Sequence, residues 1–159
     1  MDNIKEVYIK KLEKYCSYQD RCHFDVRMKL LSLKVYGDDL EEIMAHLVTE
    51  NYLNEERYAR SYARGKFRMK RWGKNKIKQN LQMKQISAYC IAKAMEEIVD
   101  EEYYKSLKEI MLKSIQKNHH LNELIKKDKA IKYAASRGYE AQLIFEVIKE
   151  FETNSDILS

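Results

Sequence analysis

The chain has 159 residues, 45% hydrophobic and 35% charged, with a net charge of +5, no proline and four glycines. That apolar share excludes a chain disordered throughout, and the missing proline and glycine withhold the turn residues that β-sheets need. Valine and threonine, six and two residues, are scarce as well, so composition alone predicts an all-α fold.

The apolar spacing is helical from one end to the other. Ile4, Val7, Tyr8, Lys11, Leu12 and Tyr15 predict a first helix over 4–18, and Val26, Leu30 and Leu33 a second over about 22–34. Asp38 and Asp39 suit the start of a third near Gly37, which continues through Leu40, Ile43, Met44 and Leu47,. Asn54-Glu55-Glu56 caps a fourth over 54–70, Trp72-Gly73 punctuates it, and Lys74 to Met83 follow with Ile77 and Leu81 inward,. Ser87 caps a helix carrying Ile91, Ala94, Met95 and Ile98. Asp100-Glu101-Glu102 opens the next, broken at Asn118-His119-His120, and 123–136 and 140–151 complete the series.

Superposed, these helices repeat. Leu40, Ile91 and Ile144 begin equivalent stripes, and Ile43, Ala94 and Val147 follow three positions on; then come Met44, Met95 and Ile148, and Leu47, Ile98 and Phe151. Upstream, Leu30, Leu81 and Ala134 correspond, as do Val26, Ile77 and Ala130. The intervening turns read Leu33-Lys34-Val35, Lys84-Gln85-Ile86 and Arg137-Gly138-Tyr139. The expected organisation is three tandem three-helix repeats over 1–52, 53–99 and 100–159. Each is too small to close its own core, so neighbours are expected to stack into an elongated, curved, right-handed or solenoid-like body.

Charge is unevenly placed. From Arg57 to Lys84 there are five arginines, six lysines and no acidic residue, giving +11 against −6 for the rest of the chain. Like charges one turn apart repel, so such a run is expected to face an anionic partner. Arg57, Arg60, Arg64, Arg68 and Arg71 are spaced to fall within an arc of about 80° on one helix,. Tyr58, Tyr62 and Met69 fall on an adjacent face suited to packing. Phosphates of a nucleic acid or an acidic protein groove would both satisfy the stripe. Reversal of Arg60, Arg64 and Arg68 to glutamate is expected to leave the core untouched. Tyr58, Tyr62, Phe67 and Trp72 interleave with the cations; helical spacing assigns the first two to the core, whereas Trp72 either anchors its turn or stays exposed to stack on bases.

Catalytic and metal chemistry find little support. His23, His46, His119 and His120 are scattered, and Cys16, Cys22 and Cys90 are odd in number and form no CxxC pair,. Nearly all of the acidic pairs, Asp38-Asp39, Glu41-Glu42, Glu55-Glu56 and Asp100-Glu101-Glu102, sit in first helical turns, where the helix dipole accounts for them,. No phosphate-cradling glycine loop, no signal-peptide stretch and no membrane-length apolar run is present. The expectation is a soluble, cytoplasmic, non-enzymatic monomer without cofactor or metal.

Leu53-Asn54-Glu55-Glu56-Arg57-Tyr58-Ala59, then Tyr62 and Arg64, Trp72-Gly73-Lys74-Asn75-Lys76-Ile77, Leu81 and Lys84-Gln85-Ile86 resemble the central repeat of the RecX family of recombination regulators. That repeat runs Leu-Asp-Asp-x-x-Phe-Ala, a basic stretch, a Gly-Pro-x-x-Ile turn and a Lys-Gly-Ile turn. The match is strong over about 53–98. Asn54 stands for aspartate, Lys74 for the proline and Gln85 for the turn glycine, and this last change is expected to alter the angle between its helices. The resemblance implies a regulator that binds the RecA recombinase filament on single-stranded DNA and restrains its ATPase, strand-exchange and coprotease activities, modulating DNA repair, recombination and the SOS response. The residues expected at that contact are Arg57, Arg60, Arg64, Lys66, Arg68, Lys70, Arg71, Trp72, Lys74, Lys76, Lys78 and Lys84. A helix-turn-helix transcription regulator is the alternative, since Lys74–Ile98 has the length and apolar spacing of that motif. Its recognition helix would be 87–98, which carries Lys93, Glu96 and Glu97 and none of the arginine, asparagine or glutamine that reads base edges,.

Overall fold

The structure, a computed structural model, describes residues 3–159 apart from the Ser155 side chain. Met1 and Asp2, in the stretch read above for a signal peptide, lie outside the described residues. The elements are α1 (Asn3–Tyr18), α2 (His23–Ser32), α3 (Gly37–Thr49), α4 (Glu55–Lys70), α5 (Lys74–Met83), α6 (Ala88–Met95), α7 (Asp100–Lys117), α8 (Glu123–Ser136), α9 (Ala141–Thr153) and the short α10 (Ser155–Leu158). The fold is all-α and built from repeated three-helix groups. No helix among the described residues is long and apolar enough to cross a membrane.

Capping follows the side chains. Asn54 Oδ1 accepts from the Arg57 N–H at 2.9 Å, Ser87 Oγ from the Cys90 N–H at 3.2 Å, and Asn122 Oδ1 from the Ile125 N–H at 2.9 Å. Each satisfies a donor that a helix start leaves without an intrahelical acceptor. Asp100 differs from expectation: Val99 is the extended N-cap and Asp100 the first helical residue, so its carboxylate acts through the dipole instead of a cap bond,.

The chain forms two compact units, one of Met1–Tyr62 with Leu81–Ala94, the other of Ala63–Asn80 with Met95–Ser159. In the first, Leu12, Val26, Leu30, Ile43 and Leu47 are fully buried, with Tyr8, Ile9, Tyr15, Leu33 and Tyr52 packed around them. Ile4 and Val7 do not join this core as their spacing predicts; both are exposed, because the buried face of α1 runs through Leu12 and Cys16. In the second, Tyr103, Leu107, Met111, Ile115, Ala130, Ala134, Ile144 and Val147 are buried. Met69 is 83% exposed, against its expected place on a packing face.

The repeat is visible in burial and in backbone. Val26, Ile77 and Ala130 are fully buried, as are Leu30, Leu81 and Ala134. Lys34, Gln85 and Gly138, the central residues of the three turns, all take left-handed φ values of 63°, 61° and 98°. Behind each, the same bond closes the helix: the Val35 N–H donates to Leu30 O at 3.0 Å, Ile86 to Leu81 O at 3.1 Å and Tyr139 to Ala134 O at 3.2 Å. This is the helix-ending pattern that glycine usually serves. Gln85 therefore keeps the shared turn geometry despite its side chain, which corrects the expectation of an altered one. The left-handed backbone there costs about 1 kcal/mol.

Two glycines in the second unit meet back to back. The Gly73 N–H donates to Arg137 O at 2.7 Å and the Asn75 N–H to Gly138 O at 2.9 Å, so the α8–α9 turn docks onto the start of α5. A Cβ on Gly73 would lie 2.3 Å from the Gly138 carbonyl carbon, and one on Gly138 2.4 Å from Lys76 Cβ. Only hydrogen at both positions permits that approach.

Candidate nucleic-acid and protein interface

α4 begins at its Asn54 cap and carries the arginines as far as Lys70. Arg71 lies beyond its end, with φ of 55°, so the fifth member of the predicted stripe leaves the helix instead of extending the row. Its carbonyl accepts from the Tyr139 hydroxyl at 3.1 Å, and the Trp72 N–H turns back to Lys66 O at 3.1 Å. These bonds fix the loop that presents Trp72 and Lys74.

The basic segment is far less uncompensated than its sequence implies. Within the first unit, Arg57 donates to Asn51 O at 3.1 Å and Tyr52 O at 3.3 Å and its Nε lies 3.4 Å from Asp20. Arg60 bonds Glu56 one turn back at 3.1 Å. Lys84 reaches Asp25 at 2.9 Å. Within the second unit, Arg64 pairs closely with Glu97, Arg71 Nη1 sits 2.9 Å from Glu109 and Lys74 3.6 Å from Asp100. Acidic residues distant in sequence thus supply the counter-charges absent locally. Reversal of Arg60 or Arg64 would set glutamate against glutamate, so the expectation that the fold ignores it is corrected.

What remains outward is a smaller set. Arg68, Lys70 and Lys78 are exposed, and their side chains have no ion-pair partner among the described residues. Trp72 is half-buried, with the Lys66 ammonium 4.9 Å and the Lys76 ammonium 4.5 Å from its ring. Cations held over an indole face are attracted to its electron density and keep their charge near the surface. Tyr58 and Phe67 are buried and Tyr62 half-buried, with the Tyr58 and Tyr62 rings 5.9 Å apart, which removes Tyr58 and Phe67 from any base-stacking role.

Electrostatic shifts mark structural positions. Burial pushes the Cys16 and Cys22 thiols up to about 11, and the Cys90 thiol also rises for that cause. All three are free and buried, hence protonated and unreactive at neutral pH,. Burial would also raise Asp25, but the hydrogen bond from Lys84 and the contacts of Cys22 outweigh it and hold the carboxyl below its usual range. No group of three or more His, Cys, Asp or Glu side chains among the described residues is placed to hold a metal ion. Charge spacing along α4 gave no hint of Lys113, Lys117, Lys129 and Arg137, which lie with Arg68 and Arg71 around one cavity of the second unit. A scan for cations in the last turn of α7 would have found Lys117 of that set.

Repeated three-helix groups with a basic surface on the middle helices define a helical repeat protein. Residues 54–95 match the family description "RecX, second three-helix domain". Regulatory proteins RecX of Lactococcus lactis and Bacillus cereus are 26% and 25% identical to this chain over 145 and 158 residues, covering 89% and 98% of it but 54% and 57% of their own lengths. The chain thus spans about half the length of the curated relatives it matches. The crystal structure of RecX from Lactobacillus salivarius superposes with a TM-score of 0.87 at 24% identity, over 96% of this chain and 99% of that one. A second crystal structure of a regulatory protein RecX gives 0.83 at 23%, over 92% and 71%. The chain is thus similar to the RecX proteins over most of its length, and residues 54–95 match their second three-helix domain.

Proposed function

We propose that the chain is a regulator that binds the RecA recombinase filament on single-stranded DNA and restrains its ATPase, strand-exchange and coprotease activities, acting as a monomer in the cytoplasm. The observation that carries this reading is that the family match at 54–95 encloses the whole acid-free segment from Arg57 to Lys84. Within that segment, Arg68, Lys70 and Lys78 make the first contact, and the Lys66, Trp72 and Lys76 cluster adds cations beside an aromatic face. Arg57, Arg60, Arg64, Arg71, Lys74 and Lys84 act chiefly by shaping the surface, since each already has a carboxylate beside it. The sequence divides into three functional repeats over 1–52, 53–99 and 100–159, the middle one being the contact repeat.

The transcription-regulator reading has less support. α6, its recognition helix, offers Lys93 alone as a cation, and Glu97 just beyond it is held by Arg64. The test is ATP hydrolysis by the cognate recombinase on single-stranded DNA, titrated with this protein. Substoichiometric protein slows hydrolysis; unchanged hydrolysis together with unchanged filament length at equimolar protein overturns the reading.

A further inference from the structure

The second unit contains a cavity of about 680 Å³ whose charged lining residues are all cations. One wall is the end of α4 with Arg68, Lys70 and the following Arg71. The facing walls come from the second half of α7, with Lys113 and Lys117, and from α8, with Lys129 and Tyr133. Arg137 closes it, tethered by a hydrogen bond from its guanidinium to the Lys70 carbonyl.

Cations in the last turn of a helix are explained by the dipole, which accounts for Lys70 and Lys117. It does not account for Lys129, in the middle of α8, or for Lys113, a turn before the end of α7. Two buried nitrogens of the lining residues also lack hydrogen-bond acceptors among the described residues, Arg137 Nε and Arg71 Nη1. The latter lies 2.9 Å from Glu109 without the alignment of a hydrogen bond. Arg71 thus has a carboxylate as its charge partner, whereas Arg137 Nε has none; a buried donor is normally satisfied, so one left open beside a cation-lined cavity points to an anionic ligand,.

Size and shape select the class of anion. The volume falls among small-molecule sites, about 300–1,000 Å³, and a single inorganic phosphate would leave most of it unfilled. Guanidinium forks match phosphate oxygens, and closely spaced lysines match the dense charge of a polyphosphate chain. The half-exposed Tyr133, with Met69 and Ile110, supplies an aromatic and apolar wall for a base. We infer that this cavity binds a nucleoside polyphosphate, at a site that shares Arg68, Lys70 and Arg71 with the contact segment proposed above and takes its other cations from α7, α8 and Arg137.

Calorimetric titration of the full chain with ATP, inorganic tripolyphosphate and an oligothymidylate tests it. ATP binds once per chain, tripolyphosphate displaces it, and the double variant Lys113→Glu/Lys129→Glu lowers ATP affinity by at least roughly tenfold. Lys105→Gln, an exposed change on α7 away from the cavity, leaves ATP affinity unchanged. Should the reversed pair fail to fold by circular dichroism, Lys113→Gln/Lys129→Gln makes the same measurement. The inference is overturned by absence of saturable ATP binding at about 1 mM, by a folded double variant that binds ATP as the unaltered chain does, or by oligothymidylate displacing bound ATP while tripolyphosphate does not. Filament assays do not enter any of these outcomes, so failure here is separable from failure of the proposed function.

Discussion

The hydroxyl of Tyr103 accepts a 2.8 Å hydrogen bond from the backbone N–H of Lys74 and donates to the Glu140 carboxylate. Its ring is buried between Phe67 and Tyr139, at centroid distances of 5.8 and 4.9 Å. Burial pushes this hydroxyl far above its ordinary value, so it stays protonated and able to donate. One side chain therefore ties the first residue of α5 to the residue preceding α9. Where the RecX pattern has proline, this chain keeps an N–H with a specific acceptor.

Proline at a helix start is ordinarily favourable. Here Lys74→Pro is expected to destabilise the protein by about 1–3 kcal/mol, because it removes the donor to a buried hydroxyl. Tyr103→Phe should cost a similar amount, and the double variant less than the sum, since both delete one bond. Urea unfolding measures all three; a stabilised Lys74→Pro protein would contradict the account.

The four glycines should respond differently to alanine. Gly73→Ala places a Cβ 2.3–2.4 Å from the backbone of Gly138 and Tyr139, and neither side has a flexible atom to yield. We expect a loss above about 3 kcal/mol, in the range of severe overpacking. Gly65→Ala, inside α4 with open space around it, should instead gain about 1 kcal/mol from helix propensity,. Thermal melts of the two proteins shifting the same way would count against this reading.

Gln85 holds a left-handed conformation that glycine adopts without strain,. Gln85→Gly is expected to stabilise the chain by up to about 1 kcal/mol, since side-chain strain is relieved while the closing bond from Ile86 to Leu81 remains,. Greater backbone freedom in the unfolded chain offsets part of this gain. A loss of stability at this site would show that the Gln85 side chain contributes more than its strain costs.

The Asp25–Lys84 pair sets an acid limit. Burial opposes both charges, but the bond between them outweighs it, lowering Asp25 and raising Lys84 from their ordinary values. A carboxyl with a depressed folded-state pKa contributes stability above its unfolded value, and that contribution disappears as pH falls through the folded value. Asp25→Asn should therefore be less stable than the unaltered protein at neutral pH, and the two should converge below about pH 4. A difference that persists unchanged into acid would assign the effect to packing.

Charge reversals should sort by partner. Arg64→Glu faces Glu97, and its cost should exceed that of Arg68→Glu or Lys78→Glu, which should alter stability by no more than about 0.5 kcal/mol each,. The last two, with Lys70→Glu, should nonetheless weaken filament binding and flatten its salt dependence if phosphates are the contact. A triple Arg68→Glu/Lys70→Glu/Lys78→Glu protein that folds and binds filament as before would limit these residues to solvation.

Sequence by itself determined the helices and most of the core. Val26, Ile77 and Ala130, or Leu47, Ile98 and Phe151, are recognisable because a helix buries every third or fourth residue, a local rule written into spacing,. It also located the three turns, though only Gly138 announces the left-handed conformation that Lys34 and Gln85 share. What the tertiary structure decided is which charges face outward. Glu97 reaches Arg64 across 33 residues and Asp25 reaches Lys84 across 59, while Arg71 turns off its helix to meet Glu109. The cavity cations Lys113, Lys129 and Arg137 join Arg68 for the same reason. Ion pairing depends on distance in space, and that distance is set only when helices remote in sequence pack their apolar faces together.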